Sequence, residues 1–64
     1  MSWRMYRKIE PVWAMKMHED FHVKTLEGDM EGHNGDYLCR GIEGELWPCK
    51  ASIFEKTYVE AKPE

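Results

Sequence analysis

Turn-forming residues interrupt this chain roughly every six to ten positions, which leaves no room for helices of ordinary length and suits short antiparallel strands. The breaks are His18-Glu19-Asp20, Glu27-Gly28-Asp29, Gly32-His33-Asn34-Gly35 and Gly41-Ile42-Glu43-Gly44. Between them the spacing predicts strands near 9–17, 21–26, 29–31, 36–40 and 45–49, with a last one near 57–60. Asn34-Gly35 and Glu43-Gly44 supply residues that tolerate positive φ, as tight hairpin turns demand. The stretch from Lys50 to Lys56 departs from the pattern. It follows Pro48 and sets Ile53 beside Phe54, which predicts one short helical turn over 51–56. The expected fold is mostly β: a small, strongly bent antiparallel sheet or an SH3-like, partly open barrel, in a single domain over 1–64.

A half-buried strand is apolar on one face only. Phe21, Val23 and Thr25 against His22 and Lys24 follow that rule. The first strand does not, with Trp13, Met15 and Met17 on one face and Val12 and Ala14 on the other. Leu46-Trp47-Pro48-Cys49 is likewise apolar on both faces. A monomer of 64 residues buries only about 60% of the surface its unfolded chain exposes. The surplus apolar face therefore predicts a second subunit, as a dimer or tetramer, or a ligand, with Trp13, Met15 or Trp47 at the contact.

Charge narrows the partners. A net charge of -3 argues against a general binder of DNA or RNA polymers, which needs a basic stripe to neutralise successive phosphates. The distribution is uneven, however. Arg4, Arg7, Lys8 and Lys16 face a single Glu10 in the first seventeen residues, whereas Glu19, Asp20, Glu27, Asp29, Glu31 and Asp36 dominate 19–36. A local basic and aromatic patch on such a molecule suits a small anionic ligand. No apolar run approaches the length of a membrane span and no charged leader precedes one, so the chain reads as soluble and cytosolic, with reduced thiols.

Cys39 and Cys49 lie on expected hairpin partners and could pair; as two small buried apolar side chains they fit a reducing compartment. His18, Asp20, His22, His33 and the cysteines offer metal-binding side chains, but there is no C-x-x-C pair with a histidine knuckle beside it, and His18 to His22 spans an expected turn and not one helix face, so no metal is expected. Ser52 and Thr57 lack the context of an activated nucleophile, Glu27, Asp29 and Glu31 fit a solvated strand face, and the glycines form no phosphate loop. The chain does not read as an enzyme, and no cofactor is expected.

Aromatics with nearby cations remain. Trp13 with Lys16, Tyr37 with Arg40, and Trp47 with Lys50 each combine a stacking surface with a phosphate partner three residues on. Base-on-aromatic stacking contributes about 1–3 kcal/mol per base, and arginine binds phosphate through paired hydrogen bonds. Three-residue spacing puts aromatic and cation on opposite faces of a strand, so pairing has to be made between strands or subunits. Tryptophan and tyrosine in so small a domain also serve as core or subunit interface.

Lys8-Ile9-Glu10-Pro11-Val12, Thr25-Leu26-Glu27-Gly28-Asp29-Met30, Gly35-Asp36-Tyr37-Leu38, Gly41 to Lys50 and Ile53-Phe54-Glu55-Lys56-Thr57-Tyr58 together resemble a group of small bacteriophage proteins. Their shared pattern runs K-x-x-P-V, T-L-E-G-x-M, P-G-D-Y/W, G-V-x-G-E-x-Y/W-P-C-K and I-F-x-x-T/S-Y, and the likeness covers nearly all of 7–60. Asn34 stands where the pattern usually has proline, and Trp13 and Met15 fall where its wording varies. The resemblance extends to phage sponges that defeat CBASS, a bacterial defence in which a cyclic nucleotide activates a killing effector. It implies a homo-oligomeric, non-enzymatic protein of the host bacterial cytoplasm that sequesters a cyclic dinucleotide such as cyclic GMP-AMP. The candidate ligand-binding residues are then Trp13, Lys16, Tyr37, Arg40, Trp47 and Lys50. The alternative is a phage accessory protein whose surplus aromatics contact a host or virion protein.

Overall fold

A computed structural model describes residues 1–61. The order of elements is β1 (Trp13–Lys16), β2 (Phe21–Thr25), β3 (Gly28–Gly32), β4 (Tyr37–Arg40), β5 (Leu46–Cys49) and α1 (Ala51–Thr57). The strands form two small antiparallel sheets, β1-β4-β5 and β2-β3, and they do not close into a barrel among the described residues. The fold is thus mostly β with one short helix, as the turn rhythm predicts.

Several boundaries differ from expectation, each for a local reason. The first strand is four residues long and does not reach back to Ile9. Its pairing ends at Trp13 opposite Arg40, and β4 then turns away at Gly41, so 9–12 have no neighbour to bond; Pro11 also lacks a donor. Thr25 opposes Gly28, which puts the β2-β3 turn at Leu26-Glu27, one residue earlier than expected, and lets β3 span five residues. The expected helical turn over 51–56 is a two-turn helix to Thr57. The strand expected at 57–60 is absent: Thr57 closes the helix, its Oγ1 donating to the Ile53 carbonyl at 2.8 Å, and the Tyr58 N–H donates to the Phe54 carbonyl at 3.0 Å. Gly35 and Gly44 do take positive φ, at 95° and 85°.

The elements are joined by carboxylates as much as by apolar packing. Asp36 accepts hydrogen bonds from the His33 N–H and, through its other oxygen, from the Ala51 N–H, both at 3.1 Å. Lys50 occupies the helix cap without a side-chain bond of its own, so Asp36 satisfies a free amide of the helix start from 15 positions away. Asp20 does the same for the corner before β4, accepting from the Asn34 N–H at 2.8 Å. Backbone bonds from Met17 to the Asp36 carbonyl and from Gly35 to the Met17 carbonyl extend the β1-β4 pairing into this corner.

Apolar burial is slight. Val23 and Cys39 are the buried hydrophobic side chains. Around them, Tyr37 stacks on Phe54 with centroids 4.0 Å apart, and Phe54 stacks on Tyr58 at 4.7 Å, which fastens the helix to β4. The Phe21 ring lies over Gly32, its cross-strand partner, where a Cβ would collide with the ring. Among the described residues no helix is long and apolar enough to cross a membrane.

Two consequences follow for stability. The amide bonds to Ala51 and then His33 hold the Asp36 carboxyl below its ordinary value of 3.8. A depressed carboxyl adds stability that is present above the unfolded value and is lost as pH falls through the folded one. Thermal unfolding should therefore show the protein weakening below about pH 4, and Asp36→Asn should flatten that part of the profile while lowering the melting temperature at neutral pH. Phe54→Ala removes the middle ring of the stack and should cost about 3 kcal/mol in denaturant unfolding, whereas Phe54→Leu, which keeps most of the apolar area, should cost about 1 kcal/mol.

Candidate functional site

The β1-β4 register re-pairs the aromatic and basic residues singled out in the sequence. Trp13 lies opposite Arg40, and Lys16 opposite Tyr37, so each aromatic meets the cation of the neighbouring strand and not the one three residues along its own chain. The Arg40 guanidinium carbon sits 5.3 Å from the Trp13 ring centroid, within range of a cation–π contact on a largely exposed surface.

The second pair is turned to structural work. The Lys16 ammonium lies 4.0 Å from Glu55 Oε2, and the Tyr37 hydroxyl donates to the same oxygen at 3.2 Å. Partial burial, followed by the Glu55 carboxylate, raises the Tyr37 phenol above its ordinary value of 10.0. With one face of its ring against Phe54, Tyr37 holds the helix down. Lys50 is exposed at the helix cap, and the cation over the Trp47 ring is Lys8, with its Nζ 5.7 Å from the centroid.

Lys8 is the residue that pairwise spacing overlooked. Its signal in the sequence was the cluster of four basic residues in the first seventeen, which pointed to the segment but not to a partner. Lys8 and Trp47 line a shallow cavity of about 300 Å³ together with Glu10, Val12, Ile42 and Glu45. The cavity exists because the chain before β1 runs unpaired across the β4-β5 loop. That loop is tied by the Gly41 N–H to the Glu45 carbonyl at 2.9 Å, and the Glu45 carboxylate folds over Gly41 and accepts the Glu43 N–H at 3.1 Å. The result is a flat indole with a cation above it and two carboxylates at its rim. Such a set can stack a ring, neutralise an anion and accept hydrogen bonds from exocyclic amines.

The remaining candidates are dispersed. His33 Nδ1 lies 3.9 Å from Asp20 Oδ1 and His22 Nε2 lies 3.7 Å from Glu31 Oε1, two separate surface pairs. Among the described residues no three histidine, cysteine or acidic side chains converge as a metal would require. Cys39 and Cys49 are both free thiols. They share a face of the β4-β5 hairpin but stand diagonally, Cys39 opposite Trp47 and Cys49 opposite Tyr37. Burial pushes the Cys39 thiol up to about 11, with the neighbouring Cys49 adding to the effect.

Comparison of the chain with protein-family models, with curated proteins and with solved structures finds no match in any of the three.

The thiols give a direct check on this geometry. In a native sample at pH 8 a thiol reagent should modify Cys49 first, and Cys39 should react only after denaturant is added, as peptide mapping would record. Equal labelling rates at the two positions would contradict the burial of Cys39.

Proposed function

We propose that the protein is a non-enzymatic sponge that binds and sequesters a cyclic dinucleotide, such as cyclic GMP-AMP, as a homo-oligomer in the cytoplasm of a phage-infected bacterium. The observation that carries the reading is Lys8 over Trp47 within the 300 Å³ cavity, a stacking face and a phosphate partner on one rim. In this reading a base lies against Trp47, its amine hydrogens reach Glu10 or Glu45, and Lys8 meets a phosphate oxygen. Trp13 with Arg40 offers a second aromatic and cation of the same kind.

The volume supports one nucleotide for each copy of the chain. A cavity of about 300 Å³ lies at the lower end of ligand pockets and matches one nucleotide better than two. A two-base ligand then needs two copies of the chain, which agrees with the exposed apolar residues Trp13 and Met15 on β1. The finer architecture in this proposal is an SH3-like, partly open barrel assembled as a dimer or tetramer. The motifs shared with small phage proteins point the same way. The second reading is an accessory protein that binds a host or virion protein; the exposed apolar side chains favour it and the cations over the two indoles do not.

Calorimetry and thermal shift with a panel of cyclic dinucleotides test the proposal. Ligand at 100 times its Kd should add about 2.7 kcal/mol of stability. Lys8→Ala and Arg40→Ala should each weaken binding by about 1.5–3 kcal/mol, roughly ten- to a hundredfold, while Lys56→Ala leaves it unchanged. The nucleotide recovered after heating the complex should be chemically intact. Retention of no cyclic dinucleotide would sink the sponge reading in favour of protein binding, and degraded nucleotide would make the protein an enzyme.

A further inference from the structure

The segment before Lys8 has the composition of an interface and the exposure of a tail. Trp3 and Met5 are as open to solvent as in an isolated chain, at 102% and 98%, and Tyr6 is little less so. Free tails are poor in aromatic and apolar residues. Here Trp3, Met5, Tyr6 and Ile9 are interspersed with Arg4, Arg7 and Lys8, and in an extended strand Trp3, Met5 and Ile9 fall on one side with Arg7 among them.

A surface of matching character lies elsewhere on the same molecule. Leu26, Met30, Leu46 and Pro48 line a mainly apolar groove of about 370 Å³ between the β2-β3 turn and β5, with Glu27 among its lining residues. Leu26, at the turn, is 98% exposed. Glu27 and Glu45 are the charged residues that line the groove, opposite in sign to Arg4 and Arg7 of the arm. By register, Leu46 and Pro48 share a sheet face with Trp13, Met15 and Leu38, so the groove continues into the exposed apolar face of the larger sheet.

The overall dimensions are those of a chain that leaves much of its surface uncovered, the arm included. A self-contained monomer of 7.6 kDa exposes about 4,300 Å². This chain exposes 6299 Å², an excess of about 2,000 Å², against the roughly 800 Å² that each partner buries in a standard interface. Its radius of gyration, 13.2 Å, likewise exceeds the about 11 Å of a compact chain of this length.

We infer that the arm Trp3–Arg7 of one copy occupies the Leu26–Met30–Leu46 groove of a second copy, which returns its own arm in exchange. The arm leaves the body at Lys8, which lies over its own Trp47 in the cavity described above, while Trp47 also lines the groove. Two arms and two grooves close under one twofold axis and leave no unpaired arm or groove to propagate a fibre. The inference builds on the self-association proposed above and is independent of nucleotide binding.

The test uses the full chain, half of it isotope-labelled and half unlabelled, with light scattering to fix the subunit number. The expected result is a dimer with filtered NOEs from the Trp3 indole of one copy to the Leu26 and Met30 methyls of the other. Trp3→Ser with Met5→Ser, and separately Leu26→Asp, should each raise the dimer dissociation constant at least tenfold with an unchanged circular dichroism spectrum, since all three side chains are exposed in the single chain. A dimer without those NOEs, or one indifferent to both variants, overturns the arm exchange but leaves self-association standing. Contacts from Trp3 to Leu26 of the same copy also overturn it, and a monomer at micromolar concentration overturns both.

Discussion

The Asp36 carboxylate is the junction on which this small fold depends. Its two oxygens bind the amides of His33 and Ala51, so one side chain fixes the corner leading into β4 and the start of the only helix among the described residues. The neighbouring backbone bonds between Met17 and Asp36 and between Gly35 and Met17 bring the end of β1 to the same point. Three elements that are distant in sequence are thereby held at one place by directional bonds. In a domain whose buried side chains are Val23 and Cys39, packing alone would leave their relative orientation loosely specified.

From that corner the geometry runs outward to the candidate site. Because β1 is fixed at its far end, its first residue, Trp13, lands opposite Arg40, and the chain preceding it has nothing to pair with and passes over the β4-β5 loop. Lys8 reaches Trp47 for that reason. Glu55 lies between Lys16 and Tyr37, a cation and an aromatic among the candidate ligand-binding residues, and contacts both. The same residue types therefore do two jobs on one sheet: the pair beside the helix stabilises it, and the pairs away from the helix stay open.

The number of strands and most of their centres were legible because glycine and asparagine mark the turns and the period of two survives in Phe21 to Thr25. What the sequence concealed were effects of partners distant along the chain. Nothing near Ala51 announces that its amide is bonded by Asp36, so the helix looked shorter than it is. The apolar and β-branched residues around Tyr58 suggested a strand, but a strand requires an edge to join, and the Tyr58 ring instead joins the stack on Phe54. Three-residue spacing puts Trp13 and Lys16 on opposite faces of one strand, and only the register shows that their cross-strand neighbours are Arg40 and Tyr37. Lys8 was invisible for the same reason, since it acts across nearly forty residues of chain.

The position of β4 in the middle of the larger sheet has a consequence for biosynthesis. The β2-β3 and β4-β5 hairpins join neighbours in sequence and close small loops, which are rapid events. β1 emerges first from the ribosome but pairs only with β4, beyond the whole β2-β3 unit, and its anchor at Asp36 is completed by Ala51 from later still. The helix start has to clear the exit tunnel before that anchor forms, so β1 stays unsecured until Ala51 has emerged. Until then the segment up to β1, rich in apolar and basic residues, is available to chaperones and to other copies being made on the same message.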